Sequence, residues 1–300
     1  MKTSENLNND KLNKADIIAL LDTTSQEDVE LLYQKAKAIK QLYMGINKSK
    51  ILSVQFSNHC DNKCIFCEFI TDKEKDKFRL EPDEILDKIN SIFCKEITNI
   101  ILQSGVDSFY DTDMISYLIY KIKQEYNVEI TLDLLQRDFN EYRAWKFSGA
   151  DNYLLKFNTS NKDNFSIFTK ENKLEERIEH LHYLKLIGYK ICTGNIIGLP
   201  EQTLEDIADD LILLENIRPQ MILNSIYSPY DSENKNLEKD FELFKKTTAI
   251  TRLLLKKSNI IIPTLSSSIT PGRIKELFKT GADTLMFEAL IKGELKETSI

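Results

Sequence analysis

Eight short apolar runs, rich in β-branched residues, recur along the chain at 51–56, 97–103, 128–134, 152–157, 189–197, 221–226, 259–265 and 283–287. Between them lie longer stretches with helical periodicity. Leu204, Ile207, Ala208, Leu211 and Leu214, for example, mark one face at steps of three and four. Strands that alternate with helices build a parallel sheet covered on both sides. Eight such repeats predict an α/β fold, a (β/α)8 TIM-type barrel.

The punctuation agrees with that pattern. Glu81-Pro82-Asp83-Glu84 places proline and acids in a first helical turn, and Thr203-Leu204-Glu205-Asp206 has the form of a capping box with Asp in place of Glu. Gly149, Gly188 and Gly281 each stand where a helix should stop and turn into a strand. Residues 1–47 read as additional helices, one opened by Ser25-Gln26-Glu27-Asp28, that cap the N-terminal face of the barrel. Residues 48–300 form the barrel itself, with no linker-like tract between. Active sites of such barrels lie at the C-terminal ends of the strands, so strand ends are where chemistry is expected.

Bulk charge narrows the function. A formal net charge of −7 gives no support to a nucleic-acid partner. The polar start, Met1-Lys2-Thr3-Ser4-Glu5-Asn6, has no signal-peptide core. No apolar run approaches membrane-span length, so no membrane partner is expected. These features predict a cytoplasmic protein with reduced thiols, where clustered cysteines mean metal or redox chemistry. Cys94 and Cys192 stand alone in apolar contexts and read as small buried hydrophobes.

The other three cysteines are clustered. Cys60, Cys64 and Cys67 follow the first strand at spacing C-x3-C-x2-C. A 4Fe-4S cluster normally takes four cysteines, so three on one loop leave one iron for a ligand that is not a side chain. Zinc is the competing reading, with His59 as a fourth ligand. Structural zinc sites usually draw on two separated pairs, however, and no second pair is evident here. A non-catalytic metal-binding barrel is the corresponding alternative outside enzymology.

The cysteine spacing, with Phe66 just before the last thiol, resembles the signature of the radical S-adenosylmethionine (SAM) superfamily. Two strand ends add to it. Leu102-Gln103-Ser104-Gly105 closes strand two, and Gly194-Asn195-Ile196-Ile197-Gly198-Leu199-Pro200-Glu201 closes strand five with the pattern G-x-I-x-G-x-x-E. The resemblance implies a 4Fe-4S cluster on Cys60, Cys64 and Cys67, whose fourth iron binds the amino and carboxylate groups of SAM. It implies that Phe66, Ser104 and Gly105 belong to the SAM site, the last two against the methionine amine. Gly194, Ile196 and Gly198 would lie against adenine. The implied reaction is reductive cleavage of SAM to a 5′-deoxyadenosyl radical, with the electron from a donor such as ferredoxin or flavodoxin.

More closely, the chain is similar to the FeFe-hydrogenase maturase family HydE, in the branch that also holds biotin synthase and methylornithine synthase. Phe56-Ser57-Asn58, Gly149-Ala150-Asp151-Asn152-Tyr153-Leu154-Leu155, Gly198-Leu199-Pro200-Glu201-Gln202-Thr203, Thr251-Arg252-Leu253-Leu254, Pro271-Gly272-Arg273 and Gly281-Ala282-Asp283 carry that likeness. By position it implies that Asn158 and Thr159 lie near SAM and that Arg177 pairs with the SAM carboxylate. Read without the family, Arg177 is an ordinary solvated helix residue.

Departures from HydE fall at cavity-lining positions. Glu68 replaces the usual Gly, Val106 replaces a Glu, and Asp133-Leu134-Leu135-Gln136 and Lys156-Phe157-Asn158-Thr159 replace Ser-Leu-Gly-Glu and Arg-His-Glu-Thr. The candidate contacts to a small-molecule substrate are therefore Asp133, Gln136, Lys156, Tyr227 and Tyr230. The substrate implied is a small thiol, an amino-acid derivative or an organometallic compound. The alternatives are an amino-acid mutase like methylornithine synthase and sulfur chemistry like that of biotin synthase.

Overall fold

The apolar runs become eight parallel strands that hydrogen-bond in a closed ring. The computed structural model describes residues 7, 11–45, 50–64, 67, 76–170, 173–227, 237–263 and 269–289. The barrel strands are β1 (Lys50–Gln55), β2 (Ile97–Gln103), β3 (Glu129–Asp133), β4 (Asn152–Leu154), β5 (Lys190–Thr193), β7 (Met221–Ile222), β9 (Asn259–Ile262) and β10 (Thr284–Ala289). They follow one another in chain order around the ring, and β10 closes on β1 with Ile51 opposite Met286 and Ser53 opposite Glu288.

Alternation along the strands sorts the side chains. Ile51, Ile101, Leu154, Cys192, Met221, Leu223, Ile261 and Met286 fill the barrel interior as one apolar cluster. Ile100, Leu132, Tyr153, Ile191 and Ile222 belong to the other large cluster, shared with the outer helices. A period of two divides a strand's side chains between opposite faces, so Ser53, Gln103, Asp133 and Lys156 continue the inward series above the apolar plug.

Two expected strands prove to be interrupted. Residues 189–197 split into β5 and β6 (Ile196–Ile197), and 221–226 split into β7 and β8 (Ser225–Ile226). The cause lies between the halves. A Cβ on Gly194 would sit 2.2 Å from the carbonyl oxygen of Leu223, and the Asn195 amide donates to Oδ1 of Asn224 (3.2 Å) instead of to a backbone carbonyl. Only glycine allows that approach. β6 and β8 then pair separately, as a two-stranded parallel sheet. β4 is likewise shorter than expected, and past it Asn158 turns left-handed with φ 65°.

The helices among the described residues are α1 (Lys14–Asp22), α2 (Gln26–Tyr43), α3 (Pro82–Ile92), α4 (Thr112–Glu125), α5 (Phe139–Ser148), α6 (Lys162–Thr169), α7 (Leu174–Leu186), α8 (Leu204–Ile217), α9 (Leu237–Leu254) and α10 (Pro271–Lys279). Ser25 caps α2, Glu81 and Thr203 form capping boxes on α3 and α8, and Gly149 and Gly281 leave α5 and α10 at φ 115° and 107°. Each of these glycines precedes Ala-Asp, and the two aspartates do the same work. Asp151 Oδ2 accepts the Ile130 amide and Asp283 Oδ2 accepts the Ile260 amide, both at 2.8 Å, so each pins the preceding strand at the barrel floor. Asp283 also meets Arg252, and both side chains are fully buried.

α1 and α2 lie against α8, α9 and α10. Lys246 of α9 donates to the carbonyls of Leu21 and Thr23 (2.9 and 2.6 Å), and Lys40 of α2 reaches the Ala282 carbonyl at the lower rim. No helix of the described residues is long and apolar enough to cross a membrane.

Candidate functional site

The cysteine segment leaves β1 from a braced base. The Tyr110 hydroxyl lies 3.1 Å from the Phe56 carbonyl and 2.8 Å from that of Leu80, tying the start of the loop to its return. Ser57 Oγ donates to Asp107 (2.7 Å) and accepts the His59 amide (3.1 Å). Arg79 closes a two-pronged pair with the same Asp107, at 2.9 Å from Nε and 2.9 Å from Nη2. Burial would raise the Asp107 carboxyl, but Arg79 and Ser57 outweigh that and hold it below the usual carboxylate range. Asn58 completes the brace, accepting the Phe78 amide at 2.9 Å.

Gly105, at the end of β2, lies directly behind Cys60. A Cβ there would be 2.3 Å from the His59 carbonyl oxygen and 2.5 Å from the Cys60 Cβ. The Val106 amide points at Cys60 Sγ (3.4 Å), and the Asp61 amide donates back to the Val106 carbonyl at 2.9 Å. Ser104 is buried, and its amide donates to the Asp133 carbonyl at 3.1 Å. Cys60, Cys64 and Cys67 are all partly exposed and free of disulfides. Among the described residues no three His, Cys, Asp or Glu side chains are gathered as ligands of a single metal ion.

Arg177 departs from its solvated reading. It is 2% exposed, with Nε donating to Gln136 Oε1 and Nη1 to the Lys156 carbonyl, both at 2.6 Å. Both partners are neutral. Burial lowers the guanidinium to about 10, offset first by the field of Cys64. A buried cation whose acceptors among the described residues are neutral has the chemistry to take an anion.

Asp133 and Lys156 end β3 and follow β4 on the inner face. Asp133 Oδ2 accepts from Gln103 Nε2 (2.9 Å), and Lys156 Nζ donates to Ser225 Oγ (2.6 Å). Enclosure by the barrel drives each toward neutrality. Asp133 rises to about 7 against the pull of the Gln103 amide and Lys156, and Lys156 falls to about 8 against the pull of Asp133 and Cys192. Each feels the other's charge, yet no ion pair closes between them.

The third group forms the wall beside them. Asn158 donates its amide to the Gly194 carbonyl (3.1 Å) and accepts the Ile196 amide (2.8 Å), so the ends of strands four and five are zipped together. Gln202 clamps the next turn, accepting the Gly198 amide at 2.8 Å and donating to the Ile196 carbonyl at 2.9 Å. Gly198 has φ 85° and a side-chain position already filled by the Asp240 carboxylate, 2.9 Å away. Ile196, Leu199 and Phe168 form a small apolar cluster against which Tyr227 packs. Thr159 is buried beside Asn158 and accepts the Asn161 amide at 3.2 Å.

The structure thus joins Cys60 with Gly105, Gln136 with Arg177, Asn158 with Gly194 and Ile196, and Tyr227 with the cluster that holds Ile196. Phe66 and Tyr230 lie outside the described residues. Sequence reading missed Gln103 and Ser225, which hold the two inner charges, and Asp210, described below. Cys192 is buried as expected, but it faces the barrel interior; Cys94 is only partly buried and donates to Glu96 (3.3 Å).

The Radical SAM superfamily pattern matches residues 54–214. The [FeFe] hydrogenase maturase subunit HydE of Thermotoga maritima is 34% identical over 260 residues, covering 86% of this chain and 74% of that one. The 3-methylornithine synthase of Methanosarcina acetivorans is 25% identical, covering 82% and 71%. In fold, the crystal structure of methylornithine synthase (PylB) superposes with a TM-score of 0.85 at 20% identity, covering 95% of this chain and 85% of that one. The residues present suit the cofactor this family uses. Three thiols, none in a disulfide, share one braced loop, and the space a side chain at Gly105 would fill is taken by the loop bearing the first of them.

Proposed function

This chain belongs to the radical SAM superfamily, in the branch of HydE, methylornithine synthase and biotin synthase, and on that premise we propose a HydE-like enzyme whose substrate is a small thiol, amino-acid-derived or organometallic compound held inside the barrel mouth. The observation that carries this reading is the pair Asp133 and Lys156. Opposite charges follow the inward series of neighbouring barrel strands, each held by a neutral neighbour and with no ion pair between them. An α-amino acid group, or a cysteine-derived ligand carrying one, complements them with its ammonium on Asp133 and its carboxylate on Lys156.

With Cys60, Cys64 and Cys67 as its ligands, the 4Fe-4S cluster supplies one-electron reductive cleavage of SAM, for which a ferredoxin- or flavodoxin-type donor is proposed. The chain's own residues bind and orient. Arg177 takes the SAM carboxylate, its guanidinium already fixed by Gln136 and the Lys156 carbonyl. Ser104 and Gly105 face the methionine amine. Asn158, Thr159, Gly194, Ile196 and Gly198 hold the nucleoside. Phe168, Leu199 and Tyr227 keep water from the reacting atoms.

A mutase reading fits the same two charges, because lysine is also a zwitterion. The reconstituted, reduced enzyme is incubated with SAM and either cysteine or lysine, and 5′-deoxyadenosine is quantified. The HydE-like reading expects stimulation by cysteine or a cysteine-bearing iron complex. Stimulation by lysine alone supports the mutase instead, and a yield indifferent to every such ligand removes the assignment of the two charges.

A further inference from the structure

We infer that Asp210, a side chain of the outer helix layer, is a positioning residue for the SAM nucleoside, acting through the two strand ends that it ties together. The inference rests on the proposed placing of the nucleoside against Asn158, Thr159, Gly194 and Ile196.

Asp210 is fully buried on the inner face of α8. Oδ1 accepts both the amide (2.5 Å) and the hydroxyl (2.7 Å) of Ser160, two residues beyond Asn158. Oδ2 accepts Nδ2 of Asn195 at 3.0 Å, in the gap between β5 and β6. One carboxylate therefore fastens the segment after β4 to the segment after β5, and both segments carry proposed nucleoside contacts. On the cavity side the same segments are zipped by the two Asn158 backbone bonds. Asp206, one turn earlier, repeats the device by accepting from Asn161 Nδ2 at 2.8 Å.

The composition of the knot argues for a purpose beyond filling space. Among the described residues no cation pairs with Asp210; the donors that meet its oxygens there are neutral, and burial pushes it up to about 7. An apolar residue on the Ile207, Ala208, Leu211, Leu214 stripe would pack at lower desolvation cost. A carboxylate is the group that can hold three donors from two separate segments at once. Asn158 takes the left-handed turn at φ 65°, which asparagine adopts more readily than other residues with a side chain, and the carboxylate fixes the segment that follows it.

The test compares Asp210→Ala with Asp210→Asn in the anaerobically reconstituted holoenzyme. Asparagine keeps one oxygen for Ser160, and its amide can donate to Asn195 Oδ1, which has no partner among the described residues. Asp210→Ala is expected to weaken SAM binding, measured by titration of the reduced protein, by about tenfold or more. Asp210→Asn should restore it to within about threefold of wild type. In both, iron and sulfide content and the SAM-free spectrum of the reduced cluster should match wild type, a separation that a merely structural role would not produce. Should Asp210→Ala fail to fold, Asn195→Ala and Ser160→Ala, each cutting one arm, are expected to shift SAM affinity in the same direction by smaller factors. SAM affinity within twofold of wild type in Asp210→Ala, or in both single-arm variants, overturns the inference, as does cofactor loss in step with SAM affinity. If wild-type protein binds its cluster but no SAM, the functional reading fails and the inference with it.

Discussion

Gly105 and Cys60 are packed back to back, with the Cβ that any other residue would carry at position 105 only 2.5 Å from the Cys60 Cβ. The nearest clash, 2.3 Å, is with the backbone carbonyl of His59, which no rotamer change can relieve. Gly105→Ala should therefore push the cysteine loop outward at a cost of ~1–3 kcal/mol. The expected result is a clear fall in iron and sulfide bound per chain after reconstitution, together with a lower unfolding temperature. Full cofactor content in this variant would contradict the packing described.

Gln136 gives Arg177 a neutral hydrogen-bond partner. Gln136→Glu would place a carboxylate against Nε, where the glutamine oxygen now lies 2.6 Å away. With the guanidinium already paired, a ligand carboxylate gains less from it, and SAM affinity should fall by about tenfold, equivalent to ~1.4 kcal/mol. Equilibrium binding to the reduced holoenzyme measures this. Tighter binding would show that Arg177 does not receive SAM.

Acidity should limit substrate use on both sides. Asp133, raised to about 7, is ionised only above that value, and Lys156, lowered to about 8, is protonated only below it. Binding that needs both charges is thus strongest between the two, giving a bell-shaped dependence of kcat/KM whose limbs belong to the coupled pair. Asp133→Asn and Lys156→Met should each lower kcat/KM and turn the bell into a single limb. The profile of substrate-stimulated 5′-deoxyadenosine formation reads both.

At the opposite end of the barrel, Arg252 and Asp283 are completely enclosed. Arg252 also donates to the Gly281 and Lys256 carbonyls at 3.1 and 2.9 Å. Arg252→Met should cost ~3–5 kcal/mol because it strands a buried carboxylate. Arg252→Met combined with Asp283→Leu should recover part of that loss, except for the bond from the Ile260 amide. Urea unfolding of the two variants makes the comparison.

The architecture was largely readable, because strand and helix periods, capping residues and helix-ending glycines are local signals. The broken strands were not, since Gly194 and Leu223 meet only after the sheet has formed. The burial of Arg177 leaves no mark on its own helix, because its partners Gln136 and Lys156 lie 41 and 21 residues away. Asp210 did leave a trace: it is an acid within the apolar stripe that includes Ile207, Leu211 and Leu214. The cysteines were legible because their spacing is itself the chemical requirement. The partners of the inner charges, Gln103 and Ser225, come from other strands, so no local pattern announces them.

Quantifying 5′-deoxyadenosine and methionine released from SAM by the reduced, reconstituted protein addresses the central claim directly. The expected outcome is equimolar release by wild type, with none from Cys60→Ala, Cys64→Ala or Cys67→Ala while each variant stays folded. Wild-type protein with a full complement of iron and sulfide that leaves SAM intact, or a Cys64→Ala variant that cleaves it as well as wild type, would contradict the account.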